Sequence, residues 1–509
     1  MYRHLQFSLF LLFYCGSSFA NDGDQTFQSS QVHEIRMIFW QTAFWDSLLA
    51  THANDTTMPC LVNIDGITMD TIGVKLKGNS SFNSYPGVKK SFKLSFDAYN
   101  DTNRFDGLHT LNLNNGFKDP TMLREKLVLD FLRSQGLPAP RCTFAKVYLN
   151  NTYWGLYSMV EEVDKTFLND LIGNKDGNLF KGDPQGSLQW YGSADSSYYN
   201  KYELHTNDSI NDWSDLVRLI KIINNSGASF QDSLETILNT NNAIGQWAVD
   251  LLFANLDSYT GSGHNYYLYH NTASNKFERI AWDVNESFGN FNQGMNIAQL
   301  EDLSYAYVPQ PSNNSRPLNI QMLATPQYRE QLTDKLCYFI QNAFRPDLMN
   351  PRIDSLASSI RSAYYADPNK MFTNQNFEDN LNQNISANGT PGGSNIAGLK
   401  SFIANRRVKL QGQLAALGCV INELEPNIDR SEHIIIYPNP CSSQSMLTVS
   451  SSTVCELSLF DVLGHMIISA KISAGVTEIQ LTNIDAGLYH YQVTYADGRL
   501  GNGKIVITE

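Results

Sequence analysis

A short polar run, residues 423–432, cuts this chain into two parts that cannot share one kind of core. Before it, segments near 212–224, 242–256, 326–343 and 395–417 repeat apolar residues at helical spacing. After it, from about residue 433 to 509, every apolar run is short and strand-like, with Gly464, Gly475, Gly487 and Gly498 between or beside the runs. Strands are expected at 434–437, 446–449, 456–460, 477–481, 489–494 and 504–507. That pattern predicts a small β-sandwich of roughly seventy residues behind a larger mixed domain. At 509 residues the chain exceeds one compact core. The expected division is 1–20, 21–175, 176–422, the linker 423–432, and 433–509.

Residues 1–20 have the pattern of a cleaved export signal. Arg3 and His4 form a basic start, an apolar run spans Leu5 to Tyr14, and Ser18-Phe19-Ala20 is a small-x-small cleavage signal before Asn21. No other stretch holds the eighteen consecutive apolar residues of a transmembrane helix, so no transmembrane segment is expected. Export opens disulfide formation to Cys60, Cys142, Cys337, Cys419, Cys441 and Cys455, for which pairing and burial as free thiols are equally open. None of them forms a C-x-x-C, so zinc is not expected. A net charge of -13 argues against nucleic acid and anionic lipid as partners.

Residues 21–175 mix strands with one helix. Asp65-Gly66 supplies the tight turn of a hairpin over 62–68. Strands are expected at 74–76, 92–96, 143–149 and 155–160, and a helix at 120–135. Residues 176–422 are mostly helical, interrupted by a strand pair at 266–269 and 277–281. The stretch 366–398, rich in Asn, Gly and Ser, reads as a long loop or flap.

Chemistry-bearing residues concentrate where the helix 242–256 ends. It delivers Asp257 into a Gly-rich loop, followed by Asn265 and a strand. The next strand leads to Asp283, with Ser287-Phe288-Gly289 behind it. A loop Asp suits acceptance of a proton from an attacking hydroxyl, and an Asn and a second Asp supply hard oxygen ligands to Mg²⁺. Each residue alone has a plain structural explanation: Asp257 as a helix cap, Asn265 in a turn, Asp283 as a surface acid. Their order, shared with phosphoryl-transfer enzymes, argues for function.

A basic strand–loop–strand precedes them: Lys75, Lys77, Gly78 to Ser81, then Lys89, Lys90 and Lys93. Its amides and ammoniums suit phosphate, and a solvated strand face fits the pattern equally. It contains no P-loop signature, and no G-x-G-x-x-G opens a helix. Phe92, Leu94 and Phe96 share one strand face, which turns Lys93 to the other. On the helix, Arg124 lies in one stripe with Leu127, Val128 and Phe131 and needs an anion, either a carboxylate or a phosphate, if buried. Glu125 is the candidate partner of Lys93. Glu161 and Glu162 are adjacent and fall on opposite faces of a strand, a poor arrangement for glycoside hydrolysis.

These residues resemble the spore-coat-protein-H (CotH) kinase family. The resemblance runs over about residues 33–415 and lies in Lys77 to Ser81, Lys90 to Phe96, Gly155 to Asp164, Asn255 to Tyr269 and Trp282 to Gly289. It implies an α+β, divergent two-lobed protein-kinase-like fold that transfers phosphate from ATP, with Mg²⁺ or Mn²⁺, to Ser or Thr of exported proteins. By that resemblance Asp257 is the catalytic Asp, Asn265 and Asp283 hold the metal, and Lys77, Lys93, Glu125 and Glu162 belong to the nucleotide site. The family usually shows Arg at Lys77, Asp at Asn285 and Thr at Ser287, which leaves room for a weak or inactive kinase. A surface adhesion or scaffold protein is the alternative, motivated by the aromatic pairs Trp190-Tyr191 and Tyr198-Tyr199. The last block resembles the type IX secretion C-terminal sorting domain through Tyr437-Pro438-Asn439-Pro440, Leu459 to Asp461, Gly464, Ala486 to Tyr489 and Lys504 to Ile507. That implies Sec export, contact with the type IX secretion machinery, and release outside or attachment to the cell surface.

Overall fold

The computed structural model describes residues 21–27, 32–54, 56–309, 315–391, 395–419, 435–437, 439, 441–443, 446–451, 453–461, 465–481, 484–495 and 500–508. The expected export signal, the linker 423–432, Pro438, Pro440, Gly464 and Gly498 lie outside them. The chain divides into two compact units, one up to residue 421 and one from 422. Architecture is mixed α+β followed by a β-rich tail.

Seven strands of the first unit close into a barrel: β1 Val32–Ile38, β2 Met58–Ile64, β3 Ile67–Lys77, β4 Ser91–Ser95, β5 Thr110–Asn114, β6 Cys142–Leu149 and β7 Thr152–Glu161. Their order is β1-β2-β3-β4-β5-β7-β6. Neighbours run antiparallel except β1 and β6, whose parallel register from Val32↔Phe144 to Met37↔Leu149 closes the cylinder. Alternation sorts the side chains. Ile35, Val62, Leu76, Phe92, Leu113 and Met159 fill the interior. Lys75, Lys77, Lys93, Asn112 and Asn114 take the alternate positions, and register pairing aligns Lys75, Lys93 and Asn112 across β3, β4 and β5.

A second, four-stranded sheet has the order β11-β10-β8-β9, from β8 Leu179–Lys181, β9 Glu203–Leu204, β10 Tyr266–Asn271 and β11 Lys276–Ala281. The helix Lys165–Ile172 packs on it, with Val163, Phe167 and Leu168 against Tyr267, Ile280 and Trp282. Helices Ser214–Asn225, Thr240–Leu252, Pro326–Asn342, Pro346–Ala366 and Leu399–Ala415 make up most of the remainder. Cys337 and Cys419 form a disulfide that ties two of them together, and Cys60, Cys142, Cys441 and Cys455 are buried thiols.

The stretch expected as a loop over 366–398 is partly ordered instead. It holds the helix Asn374–Asn382, started by a Thr373–Asn376 capping box and fastened by buried Phe377 and Leu381. Ile385 and Ile396 then pair across an isolated bridge. The Asn-rich composition hid a cap and an i,i+4 apolar pair that together suffice for a short docked helix.

Two buried cations join the barrel half to the helices. Arg124 opens the helix Arg124–Ser134 and is fully buried. Its guanidinium meets Asp119 and donates to Asn380 Oδ1 at 2.9 Å and the Ala397 carbonyl at 2.7 Å. Lys89 Nζ lies 2.6 Å from Asp367 Oδ2, with both side chains sealed from solvent. The Leu156 N–H donates to that carboxylate at 3.0 Å. Residue 155 must be glycine, because a Cβ there would lie 2.7 Å from Asp367 Oδ1.

In the second unit a three-stranded sheet (Ile435–Tyr437, Met446–Ser451, Gly475–Gln480) and a five-stranded sheet share a core containing Leu447, Leu459, Ile505 and Ile507. The five-stranded sheet also uses Met466–Ile472 and Cys441–Ser442, two strands the turn pattern does not announce.

Removing one member of a buried ion pair strands its partner. Lys89→Met is expected to lower unfolding free energy by about 3–5 kcal/mol, read from the guanidinium midpoint. A loss below about 1 kcal/mol would mean that Asp367 is adequately solvated without its lysine.

Candidate active site

One cleft of about 540 Å³ opens between the charged outer face of the barrel and the edge of the four-stranded sheet. Asp257, Asn265, Asp283, Lys77, Lys93, Glu125 and Glu162 all line it. Carboxylates outnumber lysines along its walls.

On the barrel wall the charges are wired through two amides. Lys77 Nζ donates to Asn112 Oδ1 at 2.9 Å and to Asn114 Oδ1 at 3.2 Å. Asn112 Nδ2 donates to Glu162 Oε2 at 2.7 Å, and Asn114 Nδ2 donates to both oxygens of Glu125 at 2.9 and 3.0 Å. Lys93 Nζ lies 3.1 Å from Glu162 Oε1. The expected pairing of Lys93 with Glu125 is therefore corrected: Glu162, just beyond the end of β7, holds Lys93, and Glu125 is held by Asn114. Adjacent Glu161 turns away to Arg141, with Arg141 Nε 3.0 Å from its Oε2, as opposite strand faces require.

The facing wall carries the residues that follow the helix Thr240–Leu252. Asn265 Nδ2 donates to the Asp257 carbonyl at 3.1 Å and to Asp257 Oδ2 at 3.0 Å. His264 Nε2 lies 2.7 Å from Asp257 Oδ1. That contact occupies Asp257 Oδ1, as Asn265 occupies Oδ2. Asp283 has neither a hydrogen-bond partner nor an ion-pair partner among the described residues. Asn265 and Asp283 both adopt left-handed backbone, at φ 58° and 51°. Short polar side chains tolerate that conformation, and its cost concentrates at functional positions.

Burial dominates the electrostatics. It pushes Glu125 up to about 7, with nearby Asp283 adding to the shift. Burial and the Asp257 charge likewise push Glu286 up to about 7 and raise Asp283. Burial lowers Lys77 despite Glu162 and Asp283. For Glu162 burial is outweighed by Lys93 and Lys77, which hold it below the usual carboxylate range. For Lys181 and His264 burial is outweighed by the surrounding carboxylates, and both are raised.

Several lining residues escaped the sequence reading. Asn112 and Asn114 alternate with Leu111 and Leu113, a period-two pattern that marks a strand with one polar face. Lys181, Asp183, Glu203, His205, His264 and Glu286 also line the cleft. Lys181 and Glu203 lie in the short strands β8 and β9, which carry little sequence signal, and the others in the segments that adjoin that sheet.

The chemistry of the donors fits a divalent cation. Asp283 is an unpaired carboxylate, and Asn265 keeps its Oδ1 free of any donor. Among the described residues no three His, Cys, Asp or Glu side chains form a ready cage. Mg²⁺ is characteristically held by one or two carboxylates together with substrate phosphates.

A carboxylate-rich cleft in an α+β unit, followed by a separate β-rich tail, defines a modular protein of two units. Residues 74–410 match the family described as CotH kinase protein, and the chain belongs to that family. Residues 435–508 match the secretion system C-terminal sorting domain, which marks the chain for type IX secretion to the cell surface or outside. No helix among the described residues is long and apolar enough to cross a membrane.

The inner spore coat protein H of Bacillus subtilis (strain 168) is 27% identical over 289 residues, 55% of this chain and 75% of that protein. Spore coat protein homolog 1 of Rhizopus delemar is 22% identical over 407 residues, 73% of this chain and 65% of that protein, just under two thirds of its length. Among solved structures, the twitchin kinase region from C. elegans aligns over 83% of this chain and 71% of its own, at 11% identity and a TM-score of 0.17. The Pseudomonas fluorescens DNA glycosylase AlkC aligns over 62% and 85%, at 11% identity and 0.11. Neither superposition bears on the fold.

Glu125 generates a pH test. Its folded value, about 7, lies above the ordinary 4.5, so it costs nothing when protonated in both states. The cost grows as pH climbs between those values and is complete above the upper one. Glu125→Gln is expected to gain thermal stability relative to wild type between about pH 5 and about pH 8. A melting-temperature difference that is flat over that interval would contradict it.

Proposed function

We propose that this protein is a secreted protein kinase that transfers phosphate from ATP to Ser or Thr of exported or surface proteins, dependent on Mg²⁺ or Mn²⁺. The barrel-bearing half and the helical half then serve as the two lobes of a divergent protein-kinase-like fold. The supporting observation is that residues as distant in sequence as Lys77 and Asp283 line one cleft, in which the Asp283 carboxylate has no hydrogen-bond or ion-pair partner among the described residues.

In this reading Asn265 and Asp283 hold the metal, which supplies charge neutralisation for the polyphosphate. The excess of carboxylates favours a ligand that arrives with a divalent cation. Lys77 and Lys93 offer positive charge to the phosphates, oriented by Glu125 and Glu162 through Asn114 and Asn112 and by direct contact. Asp257 orients the acceptor hydroxyl and takes its proton. The acceptor oxygen bonds to the terminal phosphorus as the bond to the β–γ bridging oxygen breaks, and ADP leaves with that electron pair. Asn265 orients Asp257 through Oδ2.

A second reading keeps the fold without turnover, as a surface adhesion or scaffold protein. It draws on Asn285, which stands where the family usually has Asp and donates through Nδ2 to the Phe117 carbonyl at 3.3 Å. An amide there lacks the charge a second metal would use.

Purified chain incubated with labelled ATP, Mg²⁺ or Mn²⁺ and a Ser-rich acceptor separates the two. Transfer is expected, falling by about 10²-fold or more in Asp257→Asn and in Asp283→Ala. Absence of transfer with either metal would leave the scaffold reading standing, and transfer undiminished in both variants would overturn the roles given to Asp257 and Asp283.

A further inference from the structure

Three strand ends meet at one edge of the four-stranded sheet. Lys181 ends β8, Asn265 immediately precedes β10, and Asp283 lies two residues beyond β11. Register fixes the convergence, because Lys181 pairs with Tyr267 and Tyr266 pairs with Ala281. The Gly182 N–H donates to the Tyr266 carbonyl at 2.8 Å, extending the ladder to this edge. Lys181 therefore stands on the same wall as Asn265 and Asp283, whereas Lys77 and Lys93 stand across the cleft on the barrel.

The two barrel lysines are tightly engaged, Lys77 by two amide oxygens and Lys93 by the buried Glu162. Lys181 is engaged differently. Its ammonium lies 2.7 Å from Asp183 Oδ2 and 3.7 Å from Glu203 Oε2. It is 19% exposed, and those carboxylates are 36% and 52% exposed. Ion pairs to exposed carboxylates are worth little and exchange readily for a better anion. An ammonium with three donors, on the wall that carries Asn265 and Asp283, suits a phosphoryl group of high charge.

We propose that Lys181 binds the terminal phosphoryl group of the nucleotide, exchanging Asp183 and Glu203 for it. This rests on reading the cleft as a nucleotide site, and it adds a contact that distinguishes a triphosphate from a diphosphate.

Binding decides it without turnover. The full chain is titrated calorimetrically with Mg²⁺ and either ADP or the β,γ-methylene analogue of ATP, which cannot transfer its end group. Lys181→Met is expected to weaken the analogue by about tenfold or more while ADP changes less than about twofold. Lys181→Arg is expected to keep the preference for the triphosphate. The proposal is overturned if Lys181→Met binds both nucleotides as wild type does. It is equally overturned if both variants weaken both nucleotides together, or if wild type binds neither. A selective loss in a chain that transfers no phosphate would support the Lys181 contact while overturning the kinase reading.

Discussion

The cleft depends on one constraint: the outer face of the barrel carries charges that the second layer shields from water. Buried ammonium, amide and carboxylate groups are tolerated only when each finds a partner. Asn112 and Asn114 meet that requirement with one device used twice. Each amide accepts from Lys77 through oxygen and donates to a carboxylate through nitrogen, Glu162 in one case and Glu125 in the other. The lysine is thereby centred between two acids without direct contact with either. A direct Lys77–carboxylate pair would collapse this wall, whereas the amides hold its charges apart and facing the cleft.

The second wall must be held at a fixed separation, and the anchors lie just behind the first. Arg124 and Glu125 are consecutive on a helix, so their side chains diverge by about 100°. Fastening Arg124 to Asp119, Asn380 and Ala397 turns Glu125 toward Asn114. The helix Asn374–Asn382 thus reaches the site indirectly, since its Asn380 fixes the residue next to Glu125. Lys89 and Asp367 do the same at the other end of the β3–β4 connection, where the helix Pro346–Ala366 finishes.

Local rules account for what was legible in the sequence. Asp65-Gly66 joins β2 to β3, alternation of Phe92, Leu94 and Phe96 turns Lys93 outward, and the strands at 266–271 and 276–281 are marked by Tyr266 to Tyr269 and by Phe277, Ile280 and Ala281. Most tail strands follow from turn spacing. The order Asp257, Asn265, Asp283 pointed to the cleft because consecutive antiparallel strands bring their ends to one edge. Barrel closure was not legible, because β1 and β6 pair in parallel across more than a hundred residues with no local signature. The partner of Lys93 was not legible for a related reason. Both Glu125 and Glu162 lie near the strand, and only the intervening Asn114 decides between them. Pro351 inside the helix Pro346–Ala366 similarly masked a long element whose inner face, from Ile353 to Tyr364, is buried.

The cleft concentrates charge at a cost that a bound ligand would offset. Asp283 and Glu286 are raised by burial and by the charge of Asp257, so the wall carries more negative charge than its surroundings accommodate. Asn265 and Asp283 hold left-handed backbone that the neighbouring strands impose. Lys77 is pulled down by burial on the opposite side. A cation beside Asp283 would relieve the first strain, and anionic groups beside Lys77 would relieve the last, so the proposed metal–polyphosphate ligand would complement both walls at once. Hydrogen bonds and register already fix the positions of the donors, and little of the binding free energy is then consumed in ordering them. Under the proposed function, stability forgone to this uncompensated charge would return as affinity for the species that neutralises it.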